Sequence, residues 1–137
     1  MRVYHGTDVA TAELLAANPR ALDMARGEGE FGRGFYTGNR PALAMSQARG
    51  RFGERGRVLE ITIADADYES LTKIVMDFDT VWSTAQRLRQ SGKTSTHTFG
   101  RDVVEGAFET IPHATQYKFE SERAAAVLHR SEWKVLS

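Results

Sequence analysis

Apolar and polar positions along this chain alternate in short extended stretches and then switch to helical spacing, and the switch recurs several times. Met1 to Tyr4 favours a strand, ended by a turn at His5-Gly6-Thr7-Asp8. Val9 to Ala17, rich in Ala and Leu, predicts a helix with Thr7 or Asp8 as its N-cap. Between Pro19 and Gly38 lie five of the twelve glycines (Gly27, Gly29, Gly32, Gly34, Gly38), which predicts a long loop leading into the short segment Gly34-Phe35-Tyr36-Thr37. Asn39 caps a further helix, with Pro41 in its first turn and Ala42, Leu43, Met45 and Ala48 along it, before an irregular stretch from Arg49 to Gly56.

Arg57 to Ile63 has the clearest period of two, with Leu59, Ile61 and Ile63 on one face and Val58, Glu60 and Thr62 on the other. Phe78 to Gln90 carries Phe78, Val81, Trp82, Ala85 and Leu88 at helical spacing, stopped by Ser91-Gly92. Trp82 and Trp133 are expected in the core. Val103-Val104 opens another extended stretch, which Ile111-Pro112 punctuates. Thr115 to Glu120 alternates, Ser121 caps the Ala-rich helix Glu122 to Leu128, and Glu132 to Leu136 closes as a strand. Short strands among helices predict an α+β domain of two small packed β-sheets with peripheral helices, and 137 residues suit a single domain over 1–137.

Charge changes this picture only locally. Eighteen Lys and Arg balance eighteen Asp and Glu, so no global field points to nucleic acid or to a membrane. Residues 20 to 57, however, hold eight Arg against Asp23, Glu28, Glu30 and Glu54, which makes the glycine-rich region and the loop after it basic. The absence of cysteine excludes disulfides, thiolate metal sites and a cysteine nucleophile. With no long apolar run, the expected address is cytoplasmic. His97, His113 and His129 are too scattered for a metal motif, and Asp65, Asp67, Asp77 and Asp79 lack the spacing of a calcium loop, so no metal is expected.

Three segments put chemistry where the backbone is tight. In Tyr4-His5-Gly6-Thr7 an imidazole precedes a glycine that lets the main chain approach a ligand. Phe31-Gly32-Arg33-Gly34-Phe35-Tyr36 has neither the dinucleotide fingerprint nor the P-loop ending, and it suits an aromatic face held open to a planar ligand. In Thr115 to Glu120, Tyr117 and Phe119 share an inward face, while Gln116, Lys118 and Glu120 face solvent or a site.

Taken in order, these segments resemble the ADP-ribosyltransferase superfamily, the NAD-dependent fold shared by diphtheria-type toxins and poly(ADP-ribose) polymerases. His5-Gly6-Thr7 is similar to the family's His-Gly-Ser/Thr element, Phe31 to Tyr36 to its Phe-Gly-Lys-Gly-aliphatic-Tyr element, and Gln116-Tyr117-Lys118-Phe119 to its Glu-Tyr strand. The likeness is to small bacterial members with Gln in the third position. It implies two sheets around an NAD cleft and NAD as co-substrate. His5 would bond a ribose hydroxyl, Gly6 would grip the nicotinamide carboxamide through its backbone, and Thr7 would lie near the adenosine ribose. Tyr36 would stack on nicotinamide. The register of the family's second stacking aromatic falls on Gln47, which leaves that face to Phe31, Phe35 or Phe52, with Arg33 beside them in the cofactor-binding loop.

His5, Tyr36 and Gln116 are thus the implied catalytic residues. An amide at 116 can bond a ribose hydroxyl but supplies no negative charge and no base, so an acid such as Glu120 or one on a nearby loop has to assist. Glu120 lies roughly 13 Å further along the strand. The implied activity is mono-ADP-ribosyl transfer to a protein or nucleic acid, by a bacterial toxin or phage-conflict enzyme with an antitoxin or immunity protein as partner. NAD hydrolysis, non-catalytic NAD or ADP-ribose binding, and nucleic-acid binding through Arg49 to Arg57 with Phe52 are the alternatives.

Overall fold

The first strand, β1 (Arg2–Asp8), runs straight through the expected turn at His5-Gly6-Thr7-Asp8, because each of its residues has a partner on β3 (Gly56–Thr62), from Arg2 opposite Thr62 to Asp8 opposite Gly56. A continuous antiparallel ladder overrides the local turn preference of Gly and Asp. The computed structural model describes residues 1–136 and shows an α+β protein in two compact units.

One unit comprises Met1–Leu22, Thr37–Ser70 and the segment from Ala126 onward. Helix α1 (Val9–Ala17) starts at Asp8, whose carboxylate accepts from the Thr11 amide at 2.8 Å, the side-chain cap that the sequence offers there. Its buried face, Ala12 and Leu15, packs on Leu59 of β3 together with Leu22, Trp133 and Val135. Trp133 sits on β7 (Glu132–Leu136), which pairs antiparallel with β3. Helix α2 (Pro41–Phe52) extends into the stretch expected to be irregular and lies on β1 and β3. The contact is close: a Cβ at Gly6 would meet the Ala44 carbonyl oxygen at 2.5 Å and the Ala48 Cβ at 3.2 Å. Val58, expected on the polar face of β3, is buried as fully as Leu59 and Ile61. A short helix, α3 (Asp65–Glu69), follows β3.

The other unit comprises Asp23–Tyr36 and Leu71–Ala125. Here β4 (Lys73–Val75) runs parallel to β5 (Val103–Phe108), and β5 pairs antiparallel with β6 (Ile111–Phe119) through a register shift at Ala107/Phe108. Helix α4 (Phe78–Gln90) packs on β5, opened by the Asp77 carboxylate on the Thr80 amide at 2.8 Å. Its buried positions are Val81, Thr84, Ala85 and Leu88, so Trp82, expected in the core, is instead 51% exposed on the outer side with Phe78. Phe31, Met76, Val81 and Val104 form one buried apolar cluster, with Tyr36, Ile74 and Phe99 against it. After β6, Ser121 caps helix α5 (Glu122–His129), its hydroxyl accepting from the Ala124 amide at 3.0 Å.

Strand β2 (Phe35–Gly38) gives Phe35 and Tyr36 to this second unit and Thr37 and Gly38 to the first, where Gly38 lies opposite Tyr4. The hydrogen-bonded strand order is β4-β5-β6-β2-β1-β3-β7. That single mixed order replaces the two small packed sheets expected from the sequence. Among the described residues no helix is long and apolar enough to cross a membrane.

Candidate functional site

The glycine-rich segment does not lie open; it is laid over the polar face of β6. Period two puts Gln116 and Lys118 on one face of that strand, and both are buried, at 2% and 0% exposed, while Tyr117 on the opposite face is only half-buried. The face expected to meet solvent or a ligand is therefore covered by the loop preceding β2. Gly32 adopts a φ of +84°, in the left-handed region, and a Cβ there would meet the His97 carbonyl oxygen at 2.2 Å. Only a residue without a side chain lets the loop turn so close to that backbone.

Backbone hydrogen bonds fix the loop. Gly34 N–H donates to the Gly27 carbonyl at 3.2 Å, Gly32 N–H to Gly29 at 3.0 Å, Gly29 N–H to Thr94 at 3.3 Å and Arg33 N–H to His97 at 2.8 Å. The Tyr36 hydroxyl closes it from within, accepting from the Phe31 amide at 2.9 Å and donating to the Gly32 carbonyl at 2.5 Å. Burial pushes the Tyr36 phenol far above its ordinary range; the Phe31 amide opposes this, and the negative charges of Glu30, Glu120 and Glu28 add to it. Tyr36 therefore stays a neutral phenol at pH 7, with its hydroxyl engaged in the loop and Gly29 packed against its ring.

Two side-chain pairs join the loop to β6. The Gln116 Nε2 donates to Glu30 Oε2 at 2.7 Å and to the Ala107 carbonyl at 3.2 Å, and the other Glu30 oxygen accepts from the Glu109 amide at 2.7 Å. Lys118 Nζ donates to the Arg33 carbonyl at 3.1 Å and forms an ion pair with Glu120, 5.1 Å from the centroid of the Phe99 ring. Burial pulls the Lys118 ammonium below its ordinary range, against the opposing pull of Glu120. Glu120 also accepts from the amides of Phe99 at 2.8 Å and Gly100 at 3.0 Å, so this acid serves Lys118 and a backbone turn. His97, whose carbonyl anchors Arg33, is held below its ordinary value by burial and by the positive charges of Lys118 and Arg87.

In the first unit His5 is half-buried on β1 opposite Leu59, and Thr7 is buried opposite Arg57. Gly6 is required there by the approach of α2. A cavity of about 490 Å³ is lined by Met45, Arg49, Gly53, Glu54, Gly56 and Arg57. The Arg57 guanidinium donates to the carbonyls of Glu54 at 2.9 Å and Gly56 at 2.8 Å, and Arg51 lies 5.1 Å from the Phe52 ring centroid. This is the basic segment singled out in the sequence.

Of the expected ligand-binding residues, Phe31 is a fully buried core side chain and Phe35 is buried, so neither ring is offered to a ligand. Arg33 is exposed, with its backbone engaged on both sides. Gln116 is brought to Glu30, a residue that the sequence reading had not singled out and whose neighbour Phe31 donates its amide to the Tyr36 hydroxyl. Its signal was present: an acid directly before the Phe-Gly-x-Gly element, on a loop of the kind from which an acid was expected to assist Gln116. Among the described residues no group of three or more acidic or histidine side chains is placed to hold a metal ion. No family model matches the chain, and no curated protein matches it.

Proposed function

We propose that this protein is an NAD-dependent mono-ADP-ribosyltransferase that moves ADP-ribose from NAD to a protein or nucleic-acid acceptor and releases nicotinamide. The observation that carries the reading is the ordered set His5-Gly6-Thr7, Phe31 to Tyr36 and Gln116 to Phe119, carried on β1, on β2 with its leading loop, and on β6. On this reading His5 bonds a ribose hydroxyl, the Gly6 backbone holds the carboxamide, Thr7 serves the adenosine side and the neutral Tyr36 ring stacks on nicotinamide. Catalysis then consists of positioning and of electrostatic stabilisation of the positive charge that develops as nicotinamide leaves. The Arg49 to Arg57 segment supports an anionic acceptor. The biological role that goes with the reading is that of an intracellular toxin or conflict enzyme kept in check by a protein partner.

Mass spectrometry of nicotinamide release and adduct formation, with NAD and cell lysate, tests this on wild type, His5→Ala, Tyr36→Ala and Gln116→Ala. Wild type is expected to release nicotinamide and label a macromolecule, His5→Ala and Tyr36→Ala to be slower by about 100-fold or more, and Gln116→Ala to be slower by about tenfold. Free ADP-ribose without any adduct would reassign the protein as an NAD hydrolase, and NAD binding without nicotinamide release as a binding module. Unchanged rates in the three variants would remove the site.

A further inference from the structure

Gln116 is the implied third catalytic residue, yet a ligand has little access to it: the residue is 2% exposed and its Nε2 donates to both Glu30 and the Ala107 carbonyl. Both partners only accept, which fixes the orientation of the amide. Glu30 is the open member of the pair, half-buried where Gln116 is closed in. Its two oxygens each take one hydrogen bond, from the Glu109 amide and from Gln116. A carboxylate offers about four acceptor sites, so capacity remains for a ligand hydroxyl or a proton.

The support beneath Glu30 is itself anchored. The Glu109 side chain, next to the amide that holds Glu30, receives both guanidinium nitrogens of Arg89, at 2.6 and 2.7 Å, and the Gln86 amide at 3.2 Å. Of the acids that act on the Tyr36 phenol, Glu30 acts most strongly, which ties it to the residue proposed to stack on nicotinamide as well as to Gln116.

We infer that Glu30 is the catalytic carboxylate of this site and that Gln116 is its positioning residue. The inference rests on the transferase reading above and changes which residue does the chemistry. The C1′–N bond of NAD breaks with its electron pair leaving on nicotinamide; the acceptor's nucleophilic atom bonds C1′; the acceptor proton passes to Glu30 and then to water. Glu30 meets the developing positive charge with a formal negative one, which a neutral amide at 116 does not provide.

The test compares Glu30→Gln, Glu30→Asp and Gln116→Ala with wild type, measuring kcat and KM for nicotinamide release, NAD affinity by calorimetry and melting temperature. Glu30→Gln is expected to lower kcat by about 100-fold or more with NAD affinity and KM held within about threefold, the signature of a group that acts in the transition state. Gln116→Ala is expected to lower kcat by only about tenfold, because the carboxylate remains but is less well held. Glu30→Asp keeps the charge and is expected to recover at least about tenfold over Glu30→Gln. That recovery also reads the role of the charge if the Gln variant proves poorly folded. Equal losses in the Asp and Gln variants, or a Glu30→Gln enzyme with wild-type kcat beside an inactive Gln116→Ala, would overturn the assignment. A wild-type protein that releases no nicotinamide would overturn the transferase reading and this inference with it, whereas an active wild type unaffected at Glu30 overturns the inference alone.

Discussion

Glu120→Gln isolates the energetics of the loop-to-strand contact. The substitution keeps side-chain length and removes the charge facing Lys118, whose side chain is 0% exposed while that of Glu120 is 3% exposed. The ammonium would keep the Arg33 carbonyl at 3.1 Å and the face of the Phe99 ring, neither of which carries a full opposite charge. The new amide also has one oxygen where the carboxylate had two, so it cannot accept both from Lys118 and from the amides of Phe99 and Gly100 as Glu120 does. Breaking a buried pair by removing one partner costs about 3–5 kcal/mol, a large share of the roughly 5–15 kcal/mol that holds a domain together. For a chain of this length that corresponds to a fall in Tm of about 10–20 °C. Thermal and urea melts followed by circular dichroism at pH 7 measure it. The double substitution Lys118→Met with Glu120→Gln should recover most of the loss, since it removes the unpaired ammonium and puts an apolar side chain of similar size in its place. A Glu120→Gln protein within about 1 kcal/mol of wild type, or a double variant less stable than the single one, would refute the claim that an unpaired buried charge sets the cost.

Gly6→Ala should destabilise by about 1–3 kcal/mol, because the added methyl meets the Ala44 carbonyl oxygen at 2.5 Å and pushes α2 off β1; a urea melt with unchanged m-value checks it. Asp102 gives a pH prediction. Burial raises its carboxyl, but hydrogen bonds from the Ser121 hydroxyl at 2.6 Å, the Thr72 amide at 2.7 Å and the Thr72 hydroxyl at 3.0 Å outweigh that and leave it below the ordinary 3.8. A lowered folded value means that the contribution is complete above pH 3.8 and is lost as pH falls through the folded value. Asp102→Asn should accordingly be less stable at pH 7 by about 1.5–3 kcal/mol and show a flatter loss of Tm on acidification, read from melts between pH 2 and 7.

Much of the fold was legible in the sequence wherever one local signal decided the outcome. Helix α4 has the bounds that its apolar spacing and the Ser91-Gly92 stop predict, β7 coincides with Glu132 to Leu136, and Asp8 and Ser121 cap the helices that they precede. The misses come from tertiary partners. The turn at His5 to Asp8 became strand because β3 pairs along its whole length. The three-residue β4 exists through its parallel alignment with β5, a partner about thirty residues away that no local pattern names. Trp82 reads as core on spacing alone, but the side of α4 that β5 accepts is centred on Val81, Ala85 and Leu88. At the candidate site the strand period correctly put Gln116 and Lys118 on a common face, but nothing local says that a glycine-rich loop will cover it, or that Glu30 will arrive there.

Residues 27 to 34 hold four glycines and read as loop by composition, yet the amide protons of Gly29, Phe31, Gly32, Arg33 and Gly34 are all donated to partners. In deuterium exchange this segment is expected to be as slow as the strands and to open together with β6 as one foldon, not ahead of it as a frayed connector. The conformational entropy surrendered by so many glycines is offset by acceptors gathered from Thr94, Tyr36 and His97, so a substitution at Gly32, which turns against the His97 backbone, should be felt as increased deuterium uptake on both sides of the contact.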